Sequence, residues 1–182
     1  MSTGKKPSGE PVYLRSLEMD DLPRVHKWHN DSDLYASLTT PHRYVSRETV
    51  EQWLRQRTAF STTEVTLAIC LTAGGEHIGN VYLKSIDWVA HHARMAIFIA
   101  EPTHRSKGYG EAAIRQMIRH AFGDLGLLRL HVTVLADNVA AVKTYEKCGF
   151  RVEGRLRRHA FKSGQFKDLL FMGLCSGDDE TA

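Results

Sequence analysis

Cysteine is scarce: only Cys70, Cys148 and Cys175 occur in 182 residues. Three thiols, odd in number and far apart, form neither a disulfide framework nor a zinc-ligand set. The ten histidines include His91-His92 but no H-E-x-x-H and no cysteine-paired spacing, so no metal is expected. Long apolar runs are also missing. No stretch approaches the ~18 residues of a membrane span, and the first residues hold no apolar signal core. Nor is there an excess of one charge, since 24 Lys and Arg stand against 21 Asp and Glu. That balance gives composition no reason to imply a nucleic-acid partner. The expectation is a soluble, cytoplasmic chain with no membrane or nucleic-acid partner, whose function must come from motifs.

What is present fills one domain. With 42% apolar residues, the chain can build a real core, and at this length it buries roughly 70% of its unfolded surface. Residues 1–11 are rich in Gly, Ser, Lys and Pro and read as a disordered leader, and residues 176–182 read as an acidic tail. Residues 12–175 between them carry no repeat and no linker.

Residues 12–17 read as a strand. Asp20 or Asp21 caps a helix carrying Leu22, Val25 and Trp28, and Ser46 starts another with Val50, Trp53 and Leu54 at helical spacing. Residues 29–44 lack a period and read as a loop. Val65, Leu67, Ile69 and Leu71 alternate strictly, and Gly74-Gly75 turns that strand into a partner over 77 to about 88. Residues 95–100 are apolar throughout, the pattern of a strand buried on both faces. A helix starts near Gly108, with Ile114, Met117, Ile118, Ala121 and Phe122 on one stripe. Residues 128–134 form the next strand, Asn138 caps a helix ending at Cys148 and Gly149, and Ser163-Gly164 joins two last strands. The order β-α-α-β-β-β-α-β-α-β-β allows parallel pairing only in its middle.

The most informative stretch is Arg105-Ser106-Lys107-Gly108-Tyr109-Gly110, between a buried strand and an amphipathic helix. Its glycines let backbone N–H groups approach a ligand, and the helix N-terminus adds partial positive charge, an anion site suited to a pyrophosphate. A solvated basic loop is the plain alternative. Gly108-x-Gly110-x-x-Ala113, with Asp137 after the next strand, also matches a dinucleotide fingerprint. Against that, seven residues including Pro102 separate strand from glycines, and too few strand-helix units follow. A P-loop is excluded, because Gly74-x4-Gly79 is followed by Asn80 rather than Lys.

A second segment, Asn138-x-x-Ala141-x-x-x-Tyr145-Glu-Lys-Cys-Gly-Phe150, places Ala141, Tyr145 and Cys148 on one helix stripe. Alone, it describes a core tyrosine. Together with the Arg-x-x-Gly-x-Gly loop upstream it resembles the GNAT superfamily of acyl-CoA-dependent N-acetyltransferases. Residues 154–168 resemble the closing hairpin, and residues 12–22 the opening strand and helix, of the group holding spermidine and ribosomal-protein N-terminal acetyltransferases. The resemblance covers about residues 12–174.

It implies an α/β (α+β) GNAT fold: one mixed, mostly antiparallel sheet of about seven strands, splayed centrally and flanked by about four helices. It also implies acetyl-CoA as co-substrate, with no metal. Ile97, Phe98 and Ile99 would offer backbone groups to the pantetheine and acetyl carbonyl, Arg105 to Gly110 would hold the pyrophosphate, and Asn138, Ala141 and Tyr145 would line the thiol end. A backbone N–H at the splay would polarise the carbonyl, and Tyr145 would act as general acid for the leaving thiolate. Transfer to a primary amine would be direct, in a ternary complex. The strand glutamate common in relatives is missing, its place taken at about Met95, so the base is open among Glu101, Asp87, His91, His92 and a water relay. A covalent route through Cys148 is disfavoured at a helix C-terminus with no activating partner.

Between His29 and Tyr44 the only carboxylates are Asp31 and Asp33, few for a polycation. The Trp28-His-Asn30-Asp31 element looks more like relatives acting on nucleotide-linked amino sugars or protein N-termini, which makes Trp28, Asn30 and Asp31 substrate-side candidates. Amino sugar, polyamine, antibiotic and protein N-terminus stay open as acceptors. A non-catalytic acyl-CoA sensor or interaction module on the same fold is the alternative function. Relatives are often dimers, and the final hairpin is the candidate element for pairing into a homodimer.

Overall fold

The computed structural model describes residues 10–178. Most of the expected leader (1–9) and much of the tail (179–182) lie outside the described residues. Glu10 and Pro11 are tied down, since the Thr72 hydroxyl donates to Glu10 O at 2.7 Å and the Thr72 N–H to Pro11 O at 3.1 Å.

Seven strands are present: β1 Val12–Ser16, β2 Val65–Leu71, β3 His77–Asp87, β4 His92–Ile99, β5 Arg129–Leu135, β6 Arg151–Lys162 and β7 Gln165–Cys175. They form one sheet in the order β1-β2-β3-β4-β5-β7-β6. Five α-helices accompany them among the described residues: α1 Leu22–His29, α2 Ser32–Ala36, α3 Arg47–Thr58, α4 Tyr109–Arg119 and α5 Val139–Lys147. The additional helix is α2, inside the segment expected to be a loop. Asp31 caps it, its carboxylate accepting from the Leu34 N–H at 2.9 Å, and Leu34 anchors it in the core.

Every neighbouring strand pair is antiparallel except β4–β5, as the element order requires. That one parallel pair is short. It runs from His92↔Arg129 to Arg94↔His131 and then stops. On its other side β4 stays paired to β3 through Ile99. Beyond Arg94 the sheet therefore opens into a V, with Ile97 to Ile99 along one arm.

Period-2 alternation assigns each strand residue to one of two layers. Ile69, Val81, Leu83, Ala93, Met95, Leu130 and Val132 pack against Ile114 and Met117 of α4 and Tyr145 of α5. On the opposite face Ala68 and Cys70 pack with Val25 and Trp28 of α1 and Val50 and Leu54 of α3. The alternating apolar set in β2 thus has a second buried face made of smaller residues. The expected both-face burial of residues 95–100 holds only in part: Met95 and Ala100 are buried but residues 96–99 are half-buried, and β4 begins earlier, at His92, with Arg94 exposed on the α1 side. Of the cysteines, Cys70 and Cys148 are buried fillers, whereas Cys175 is exposed at the end of β7.

Candidate active site

The floor of the V comes from β4, and one rim from the turn into α4. Arg105 N–H bonds Pro102 O at 3.1 Å, closing a short 3-10 turn. The chain then takes positive φ twice, at Ser106 (59°) and Gly108 (81°). Gly108 is the N-cap of α4 and has no side chain to bond the first helical N–H groups. Backbone donors that alternate in this way form a nest, and the first turn of α4 adds its own unpaired N–H groups and dipole. The loop thus has the concave, donor-rich form that a diphosphate requires.

The basic side chains of this loop divide their work. Lys107 is exposed. Arg105 instead turns back on the strand, its Nε donating to Ile99 O at 3.1 Å and an Nη to Ala100 O at 2.6 Å. It satisfies carbonyls at the end of β4, where pairing is running out. Gly110 stands beside Ile99, 4.0 Å from a Cβ position to Ile99 Cγ1. Tyr109 packs against the α4-side core.

Across the V, Asn138 caps α5 by accepting from Ala141 N–H at 3.2 Å and donates to Ser37 O at 3.2 Å. It ties the α5 N-terminus to the end of α2. Ala141 is half-buried and packs on the α4-side core. Tyr145 is 6% exposed and meets Phe150 edge-on, with centroids 5.5 Å apart. Burial pushes its hydroxyl well above the ordinary tyrosine value, so it holds its proton at neutral pH.

The three substrate-side candidates have local roles. Trp28 is 2% exposed, edge-on to His77 at 4.7 Å and to Phe98 at 5.7 Å, and is part of the core. The Asn30 amide bridges to Val45, accepting its N–H at 3.0 Å and donating to its carbonyl at 3.1 Å. Asp31 caps α2. Together they fix the course of the chain from α1 to the segment before α3.

Met95 faces the α4 layer and is 1% exposed, part of the core. The pleat gives the opposite face to Arg94, Ala96 and Phe98. Of the candidate bases, Asp87 accepts from Val89 and Ala90 N–H in the β3–β4 turn, and His91 lies in the same turn. Glu101 is paired to Lys27 at 2.6 Å. His92 stands 5.8 Å from His131, ring to ring.

Sequence reading missed several groups on the α1 face of the sheet. Lys84, Arg94 and His131 lie side by side across β3, β4 and β5. Beneath the α1 side runs a buried chain: Arg15 grips Asp21 at 2.7 and 2.8 Å, Asp21 meets His77 Nδ1 at 3.0 Å, His77 Nε2 meets Asn80 Oδ1 at 2.7 Å, and Asn80 donates to the Tyr82 hydroxyl at 3.2 Å. The available signal was pleat parity. Starting β4 at His92 rather than 95 would have put Arg94 on the face opposite Met95.

A sheet splayed after one short parallel pair, with an anion nest at the start of the following helix, decides the family when set beside known sequences. Residues 12–151 match the Acetyltransferase (GNAT) domain family. The chain belongs to the GNAT acetyltransferases. The spermidine N(1)-acetyltransferase of Vibrio cholerae serotype O1 (strain ATCC 39315 / El Tor Inaba N16961) is 30% identical over 158 residues, 87% of this chain and 89% of that protein. The L-amino acid N-acetyltransferase AaaT of Escherichia coli (strain K12) is 25% identical over 164 residues, 88% of this chain and 96% of that one. The crystal structure of spermidine N-acetyltransferase from Vibrio cholerae in complex with CoA and spermine superposes with a TM-score of 0.85 at 27% identity, covering 92% of this GNAT chain and 97% of that one. This GNAT chain is an N-acetyltransferase with acetyl-CoA as its donor, and its fold is the seven-strand mixed sheet expected. No helix among the described residues is long and apolar enough to cross a membrane.

Proposed function

We propose that this enzyme transfers the acetyl group of acetyl-CoA directly to a primary amine, both substrates being bound at once. The observation that carries the reading is the V itself: a backbone edge at Ile97 to Ile99 released from β5 pairing, with the nest of Ser106 to Gly110 at its end. The residues fit an acyl-CoA. The nest takes the pyrophosphate with its N–H groups, aided by Lys107, while Arg105 keeps the end of β4 in place. The freed backbone of β4 donates to the acyl carbonyl as charge grows on its oxygen.

Acetyl-CoA supplies an activated thioester. In the transfer a C–N bond forms as the C–S bond breaks, the amine gives up a proton and the leaving sulfur takes one. Tyr145, protonated because buried, gives a proton to the sulfur as general acid. Asn138 acts at one remove, by holding the α5 N-terminus and the end of α2 together. On the acceptor side His29 and His131 are both kept below the ordinary imidazole value, by burial first and then by neighbouring positive charge. Each is neutral near pH 7 and able to accept the proton that the amine loses.

The relatives' names point to polyamines and amino acids as acceptors, and both are primary amines. The test is thiol release from acetyl-CoA with a panel of spermidine, amino sugars, aminoglycosides, amino acids and short peptides. Turnover with at least one amine, dependent on Tyr145, is expected. CoA binding without turnover on any of them would overturn the reading.

A further inference from the structure

On the acceptor face two cations stand opposite each other without a counter-ion. Lys84 and Arg94 are cross-strand partners of β3 and β4, on the same side of the pleat. His131 of β5 is the next in line, paired with Arg94 at the last rung before the V opens. Like charges directly opposite on neighbouring strands are destabilising. Neither Lys84 nor Arg94 makes a salt bridge among the described residues. The carboxylates that bear on this row are already taken, Glu64 by Arg57 and Glu153 by Arg129. Lys84 is held by the face of Tyr82, its Nζ 4.6 Å from the ring centroid. His131 is held by Phe171, stacked at 5.1 Å. A half-buried Lys84 and an exposed Arg94, neither salt-bridged to a carboxylate among the described residues, are poised for an anion from outside.

That anion is not a phosphate of CoA in the nest. Arg94 lies five residues before Ile99 at the end of β4, roughly 17 Å back along the strand at 3.3 Å per residue. It lies instead at the base of the V, on the α1 face, where Ala96 and Phe98 also point. We propose that the acceptor is an amine carrying an anionic group, carboxylate or phosphate, which Lys84 and Arg94 bind so that the amine reaches the acyl carbon from the α1 side. The proposal rests on the acetyltransferase reading and narrows its acceptor. Polyamines become poor substrates, because the row repels a polycation.

The test uses matched amines: O-phosphoethanolamine against ethanolamine, glucosamine 6-phosphate against glucosamine, and a free amino acid against its amide. Thiol release should give at least one anionic member a kcat/KM tenfold or more above its neutral partner, expressed mostly in KM. The pair that wins tells phosphate from carboxylate. Arg94→Ala and Lys84→Ala should bring that ratio toward one, and Arg94→Glu should raise spermidine above the anionic amines. Calorimetry provides a readout independent of turnover. The same compounds are titrated onto protein saturated with CoA, so that the nest is filled. Anionic amines should bind at least tenfold more weakly to Arg94→Ala, with CoA affinity unchanged. Equal or better binding of the neutral partners and spermidine, or no response to Arg94→Ala, overturns the anionic acceptor. If no amine releases thiol while the Arg94-dependent binding is present, acetyl transfer is what fails and the anion site stands.

Discussion

On the α4 side of the sheet the proposed donor site is built of backbone, with a nest at Ser106 and Gly108 and a strand edge at Ile97 to Ile99 over an apolar layer. On the α1 side the proposed acceptor site is built of side chains, with the row Lys84, Arg94 and His131 and the Arg15–Asp21–His77–Asn80–Tyr82 chain beneath. The two sides should therefore fail differently. A backbone site is sensitive to conformation, through glycine and the helix start. A side-chain site is sensitive to charge, and its buried polar members to the loss of any one partner.

The largest effect is expected beneath the acceptor face. Asp21 is 7% exposed and accepts from Arg15, His77 and Glu18 N–H, so Asp21→Asn leaves buried donors unanswered. A loss of about 3 kcal/mol or more is expected, a melting point lower by roughly 6–12 °C for a domain of this size. Thermal unfolding checks it. CoA affinity of the folded variant, measured by calorimetry, should be close to wild type, because the nest lies in the other layer.

Next comes Tyr145→Phe, which should lower kcat by about 10²-fold or more while the Kd for acetyl-CoA stays within a few-fold. A drop in affinity of the same size as the drop in rate would make Tyr145 a binding residue instead. Gly108→Ala is smaller. Its φ of 81° asks an L residue to sit in the left-handed region, although a Cβ there would meet nothing. The cost of about 1–2 kcal/mol should appear as a roughly tenfold weaker CoA, with kcat at saturating donor little changed.

The smallest effect concerns pH. His29 and His131 have folded-state pKa values below the unfolded one, so the folded protein holds fewer protons on them. Their contribution is complete above about pH 6.5, the ordinary imidazole value, and is lost as the pH falls through the folded values. Unfolding midpoints should decline mildly over that window. The decline should be less in His29→Asn, if that variant folds, than in wild type.

The legible parts of this protein were local. Gly108 and Gly110 at the start of a helix, the Asn138 cap, the Gly149 stop and the Ser163-Gly164 turn each announce themselves within a few residues, because caps and turns are short-range devices. The α2 helix was hidden because one turn inside a polar segment has no period, and only Asp31 and Leu34 mark it. Asn30 and Asp31 drew notice as polar residues beside Trp28, yet their amide and carboxylate are consumed by Val45 and Leu34. The face of Met95 was not legible, since an apolar run obscures the pleat, and only the register shows it packed in the α4-side core.

By itself the sequence determined the element order and the acetyltransferase fold, and spacing along the chain marked the Arg105–Gly110 loop and Tyr145 as the candidates that the proposals use. Only the tertiary structure decided that Arg105 braces β4 and that Lys84, Arg94 and His131 form one row. Those three come from separate strands, 10 and 37 residues apart along the chain. Their adjacency is set by sheet register, which no local spacing encodes.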